Sequence, residues 1–315
     1  MQAKLKKMSL LKVENLSLGS DRISIVKEVS FVIHRGEIYG LLGESGSGKT
    51  LTALSIIRLL PPGVHILSGK IIFKEIDLTG LDEENLRNIR GKEIALILQD
   101  PLSALNPVLT VGEQIEEVLS GNKAERKRRA IELLKEVGLP DPEMRLRNYP
   151  HELSGGMRQR VMIAISLARD PSLLIADEPT TALDLTLQIQ IMKLLLSLNQ
   201  KKGLSILFIT HDLGVMRWIA RRVGVLYKGF LIEEAPVEDL FKTPLHPYAK
   251  ELMKAYSIED SGTEMRALNL KTQEHQGCPY LALCSEKTEK CYKKGVPPLI
   301  EISPKRKVRC WHYEK

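Results

Sequence analysis

Residues Gly43–Thr50 read GESGSGKT, behind the apolar run EIYGLL and ahead of LTALSIIRLL. Gly43, four residues, then Gly48, Lys49 and Thr50 is the spacing of a loop that cradles phosphates between a buried strand and a helix. Glycines such as Gly46 and Gly48 let the backbone curl close to an anion. The N–H groups of the loop, those of Ser45 and Ser47 included, then donate to it, and the following helix turns its positive end the same way. Lys49 is expected to reach the β- and γ-phosphates, and the Thr50 hydroxyl to ligate Mg²⁺. A glycine-rich turn with no ligand is the plainer alternative, but strand, loop, lysine, hydroxyl and helix stand here in order. A dinucleotide loop fails on spelling, because Leu51 occupies a position that needs a small residue. The expected ligand is a nucleoside triphosphate with magnesium.

Hydrolysis needs a second metal anchor and a group that activates water. LLIADE supplies both at the end of an apolar run, with Asp177 for the metal shell and Glu178 as general base. Adjacent acids usually sit on solvated turns; a pair closing a wholly apolar strand points to chemistry.

Around these stretches the chain alternates two regimes. Residues 8 to about 85 read as short strands, LLKVENLSL, VSFVIHRGE, HILSG and KIIFKEIDL, interrupted by the strand, loop and helix of the phosphate site. A helical, charged middle follows. In RRAIELLKEVGLPDP, Ile131, Leu134 and Val137 recur at helical spacing, and Gly138 with Pro140 supplies the stop. Two apolar runs of strand length, SLLIAD and LSILFITH, flank the helix-like LDLTLQIQIMKLLLSL, which predicts a parallel sheet with helices on it. RVGVLYKGFLIEEA reads as a hairpin turning at Lys228-Gly229.

The whole chain has 315 residues, room for two domains or one with an appendage at roughly 150 residues each. No apolar run reaches the ~18 residues that span a bilayer, and the N-terminus lacks a signal peptide's apolar core, so a soluble, cytosolic protein is expected. The net charge of +7 gathers in KLKK, KAERKRR (123–129) and KRKVR (305–309). With 5% aromatic residues and no base-stacking pattern, these runs read as solvated faces and not as a nucleic-acid surface. All four cysteines, Cys278, Cys284, Cys291 and Cys310, fall in the last 38 residues. That composition boundary suggests a separate C-terminal module, and a reducing cytosol argues against a disulfide framework.

LSGGMRQR (153–160) decides the family. Ser154 is suited to cap a helix, and Gly155 and Gly156 leave backbone N–H groups bare at its start, which makes a second anion site. One triphosphate scarcely needs two such sites, but a head-to-tail dimer would let each chain's second site close over its partner's nucleotide. With LILQDP, TTALD and FITHD also in order, residues 8–245 resemble the ATP-binding subunits of ABC transporters. The resemblance implies an α/β fold: a P-loop NTPase core with a mixed, largely parallel sheet, an antiparallel β subdomain, a helical subdomain at about 100–170 and a small cysteine-rich extension over 246–315. It implies ATP hydrolysis coupled to transport. Lys49, Thr50 and Asp177 would hold phosphates and Mg²⁺, Glu178 would polarise the attacking water, Gln99 would touch metal or water, and His211 would contact the γ-phosphate. Ser154 and Gly156 would grip the nucleotide of a second ATPase subunit, and Asp184 would lie at that interface. Two membrane permeases, an extracellular solute-binding protein acting through them, and a place on the cytoplasmic face of the membrane are implied as well. The family usually stacks adenine on an aromatic residue near the first strand; here Leu18 stands in that region, with no Tyr, Phe or Trp before residue 31.

QDPLSALNP, the long match around LSGGMRQR, HPYAKELM and the terminal cysteines resemble the dipeptide and oligopeptide importers, whose relatives also move nickel chelates or oligosaccharides. In that subgroup a C-terminal extension is associated with a 4Fe-4S cluster. Here the cysteines are separated by five, six and eighteen residues, without the close pair usual for zinc, and Leu283 replaces a basic residue often found before the second cysteine. Iron-sulfur is the favoured expectation, with structural zinc or loosely placed thiols as alternatives. A soluble ABC ATPase of DNA repair or translation is the competing reading, but it usually carries two nucleotide modules or a coiled-coil insertion.

Overall fold

A computed structural model describes residues 8–98, 104–181, 183–259 and 277–314. They fall into two compact units interleaved along the chain. A P-loop unit comprises residues 11–32, 39–79 and 210–315; a helical unit comprises residues up to 10, 33–38 and 80–209. Residues 246–315 thus share a unit with the phosphate loop.

The P-loop unit carries an antiparallel sheet of β1 (Ser9–Gly19), β2 (Ser24–His34), β4 (His65–Phe73) and β5 (Ile76–Asp77), in the order β2-β1-β4-β5. HILSG and the start of KIIFKEIDL form one strand instead of two. Gly69 makes this possible: its φ is 94°, and a Cβ there would lie 2.6 Å from the carbonyl oxygens of Glu14 and Asn15, where the β1–β4 register shifts. The chain then reverses at Lys74-Glu75, whose φ values of 47° and 67° make a two-residue hairpin turn without glycine or asparagine.

A second set of strands in this unit runs β11-β12-β10-β9-β3. The fully buried β3 (Ile38–Leu42) lies parallel to β9 (Arg222–Tyr227), and β10 (Phe230–Pro236) pairs antiparallel with β9 across the expected turn, where Lys228 and Gly229 have φ of 45° and 84°. β12 (Arg306–Val308) extends β10, and β11 (Ile300–Ser303) extends β12. This overturns the solvated reading of KRKVR. Glu233 and Glu234 of β10 are fully buried, and the run reaches them: Arg306 lies 3.7 Å from Glu233 and Lys307 3.0 Å from Glu234, which Arg222 also approaches at 3.3 Å. Buried carboxylates need such partners. The run KAERKRR does lie on an exposed helix face.

In the helical unit β6 (Ile94–Ile97), β7 (Leu173–Asp177) and β8 (Ser205–Thr210) pair in parallel, as SLLIAD and LSILFITH foretold. Helix Lys123–Glu136 starts from a capping box of Asn122 and Glu125 and ends before Gly138 at φ 71°. Its inward stripe is Ala130, Leu133, Leu134 and Val137, so Leu134 and Val137 face the core as their spacing predicts while Ile131 is only half-buried, and it packs on helix Gly155–Leu167. Burying each leucine contributes about 2 kcal/mol. Helix Leu185–Lys202 runs eighteen residues from its Asp184 cap to Gly203.

Candidate active site

The phosphate loop grows out of buried β3 and enters helix Lys49–Ile56. Gly46 and Gly48 take φ of 78° and 101°, the left-handed region that favours glycine, and a Cβ on Gly48 would strike Val26 Cγ2 at 2.8 Å. Gly43 is packed still harder, 2.4 Å from Leu226 O by the same test. The β9–β10 turn braces the loop from below, since Gly229 N–H donates to Ser47 O at 3.1 Å. Lys49 is buried, and its Nζ donates to the carbonyls of Gly43 (2.7 Å) and Glu44 (2.9 Å). Ser47 Oγ is buried with no hydrogen-bond partner, and no acid occupies the first turn of the helix, so its positive end is not neutralised. An orphaned hydroxyl, a buried ammonium and an unopposed helix start fit a polyanion such as a triphosphate; exposed Thr50 and Ser45 flank it.

His211 also belongs to this unit. It is exposed directly after β8, and Asp212 beyond it caps helix Leu213–Ile219 through Val215 N–H at 2.9 Å. Leu18 is a correction. It is 0% exposed, facing the core of the antiparallel sheet, and has no surface to offer a base. The exposed apolar residue nearby is Ile23, at 65%, three positions before the Val26 that touches Gly48. Ile23 stands just before β2 begins at Ser24, outside the strand whose alternating residues enter the core.

In the helical unit Asp177 ends β7 only 4% exposed. Glu178 follows with φ 46°, held by its N–H to Ile209 O at 2.9 Å, and Thr181 Oγ1 donates to its carboxylate at 3.0 Å. A non-glycine residue in this conformation is strained by about 1 kcal/mol. Ser154 caps helix Gly155–Leu167 as expected, accepting from Met157 N–H at 3.4 Å. Gly156 lets that helix lie close to the next one: a Cβ would sit 2.7 Å from Leu187 Cδ2. Asp184 caps that second helix through Leu187 N–H at 2.9 Å, so the signature and TTALD segments adjoin. Gln99 lies outside the described residues.

The four cysteines are free thiols lining one cavity with His246, Tyr280, Leu281, Glu286, Trp311 and His312. Burial pushes the Cys278 thiol up to about 11, with smaller upward contributions from the other three thiols. Burial raises Cys284 and Cys310 as well. Among the described residues no group of three or more His, Cys, Asp or Glu side chains is arranged to hold a metal ion.

The ABC transporter family profile matches residues 26–181, and that of the oligopeptide/dipeptide transporter C-terminal region matches residues 232–291. The oligopeptide transport ATP-binding protein AppD of Bacillus subtilis is 45% identical over 323 residues, covering 98% of both chains. The chain belongs to the ATP-binding subunits of ABC transporters. This ABC subunit is also 45% identical to the probable peptide ABC transporter ATP-binding protein y4tR of Sinorhizobium fredii, over 90% of this chain and 88% of that one. The dimeric ATP-binding cassette MJ0796, solved with ADP and Pi, superposes with a TM-score of 0.64 at 32% identity, over 72% of this chain and 98% of that one. The fold is that of a P-loop NTPase with a mixed sheet and an antiparallel β subdomain, and the subunit is an ATPase that drives transport. Among the described residues no helix is long and apolar enough to cross a membrane.

Proposed function

We propose that this ATPase powers the import of dipeptides or oligopeptides, working at the cytoplasmic face of the membrane with two permeases and an external solute-binding protein. The observation that carries the reading is the 98% two-way coverage with an oligopeptide transport subunit, joined to the C-terminal-region match over residues 232–291. Residues 1–245 form the cassette in this reading and 246–315 its extension. Each motif residue takes the role its chemistry implies. The Gly43–Thr50 loop, with Ser45, Ser47 and Lys49, holds the phosphates. Glu178 takes a proton from water, and His211 and Gln99 assist. Thr50 and Asp177 are the Mg²⁺ ligands, and the ion supplies charge neutralisation at the phosphates. Ile23 covers the base.

A second, homologous or identical subunit binds head to tail through Ser154, Gly155, Gly156 and Asp184. In support, the matched cassette MJ0796 is dimeric, and Leu185 and Ile189 beside Asp184 are exposed apolar residues, at 70% and 37%, that such a partner would cover. The extension holds a 4Fe-4S cluster on Cys278, Cys284, Cys291 and Cys310. In support, the four thiols line one cavity, and their spacing lacks the close pair usual for zinc.

Reconstitution with its permeases, binding protein and ATP tests the reading through uptake of a labelled oligopeptide. Glu178→Gln is expected to stop uptake and cut phosphate release by ~10² or more while ATP still binds. ATP-coupled uptake of another solute but no peptide would overturn the cargo; turnover near wild type in Glu178→Gln would overturn the base.

A further inference from the structure

The loop residue Glu44 is the one member of GESGSGKT whose side chain the phosphate chemistry leaves unused. Its backbone carbonyl accepts both Lys49 Nζ, at 2.9 Å, and Ser47 N–H, at 3.2 Å. Its carboxylate accepts the Tyr248 hydroxyl at 3.0 Å, although Glu44 is exposed and Tyr248 is only 2% exposed. A position that needed packing alone would be served by phenylalanine. Here a buried phenol reaches out to a loop carboxylate.

The segment that delivers Tyr248 is built for the purpose. Glu233, fully buried on β10, accepts Leu245 N–H at 3.0 Å and His246 N–H at 2.7 Å, which fixes the approach to helix Pro247–Glu259. His246 Nδ1 accepts Tyr248 N–H at 3.1 Å and so carries no proton itself. Pro247 stands between them at the helix start, where its missing N–H is no loss. The Tyr248 ring packs on Tyr227, centroids 4.5 Å apart, and on Tyr280, 5.6 Å apart. Tyr227 leads into the turn whose Gly229 holds Ser47, and Tyr280 comes from the cysteine-bearing segment. All these residues lie in the P-loop unit.

We propose that the turn His246-Pro247-Tyr248 is a positioning device for the phosphate loop, in which Tyr248 fixes Glu44 and thereby the loop backbone that presents Lys49. The inference rests on reading Gly43–Thr50 as the ATP site. Tyr248 is a positioning residue and touches no substrate; its effect is to organise the loop before the nucleotide arrives.

The test is ATP titration and steady-state hydrolysis with the full chain. Tyr248→Phe removes only the hydroxyl, and Glu44→Ala removes only its acceptor. Each is expected to raise the Kd and KM for ATP about tenfold, as for a hydrogen bond to a charged group, with kcat held within about twofold. The double variant should lose no more than either single one, and Glu44→Gln, which keeps an acceptor oxygen, should regain most of the affinity. Additive losses, or Tyr248→Phe binding ATP as wild type does, would overturn the proposal. If Tyr248→Phe does not fold, the comparison of Glu44→Ala with Glu44→Gln decides, because equal affinities in those two exclude the contact. Failure of the unmodified chain to bind ATP would overturn the reading of the loop instead.

Discussion

Leu18 and Ile23 show how much a single residue's orientation decides. Both are aliphatic and both belong to the β1–β2 region, yet one is 0% and the other 65% exposed. Only Ile23 has surface to lay against a base, and an aliphatic side chain offers dispersion without stacking. Ile23→Tyr is therefore expected to tighten ATP binding by about fivefold or more, since base–aromatic stacking contributes about 1–3 kcal/mol. Titration with ATP and with tripolyphosphate checks this. Tighter binding of both ligands alike would mean that the gain does not come from the base, and unchanged ATP affinity would remove Ile23 from the site.

Two glycines separate the conformational and steric demands of the elements they join. Gly203 ends helix Leu185–Lys202 at φ 67°, and a Cβ there meets nothing within 4 Å. Gly203→Ala should cost only the left-handed penalty, about 1 kcal/mol. Gly229 has φ 84°, and its Cβ would sit 2.0 Å from Ile25 O. Gly229→Ala must also move the hairpin away from β2 and from Ser47, so about 3 kcal/mol or more is expected, together with weakened ATP binding. Denaturant unfolding of both variants measures the difference. Equal losses would mean that the hairpin yields without strain and does not brace the loop.

Acid should loosen the whole molecule through His246. Burial holds its pKa down at about 3, whereas the unfolded chain titrates near 6.5. Between those values the unfolded state binds the extra proton, so stability falls as pH drops from about 6.5 towards 3, by at most about 1.4 kcal/mol per pH unit. Glu233, pushed up by burial, acts with the opposite sign, its contribution being lost as pH rises through its folded pKa. His246→Asn keeps a carbonyl acceptor for Tyr248 and should show a shallower decline in unfolding free energy between pH 7 and 5. Identical slopes would exclude His246 as the source. The cysteine segment makes a second prediction at this scale. Chain purified without oxygen should be brown with about four irons, and Cys284→Ser should bleach it while ATP binding survives. Colourless protein with one zinc per chain would replace the cluster with a mononuclear site.

The phosphate loop, the acid pair, the signature helix and the parallel strands were legible in the sequence because each is set by local chemistry. Gly46, Gly48, Lys49 and Thr50 stand within one eight-residue stretch of phosphate-loop spacing, and SLLIAD is apolar on both faces because both faces are covered. What lies between distant residues was not legible. The burial of Glu233 and Glu234 makes KRKVR an inner strand, an assignment that depends on a pairing across more than seventy residues. The facing of Leu18 depends on the register of β1 with β4, which a bulge at Gly69 resets. The bond from Tyr248 to Glu44 spans 204 positions. Sequence by itself determined which residues could do chemistry, since residue type and local spacing fix donors, acceptors and charge. Tertiary structure alone decided which of them are buried, paired and held in place, because burial and hydrogen bonding are set by packing between segments far apart in the chain.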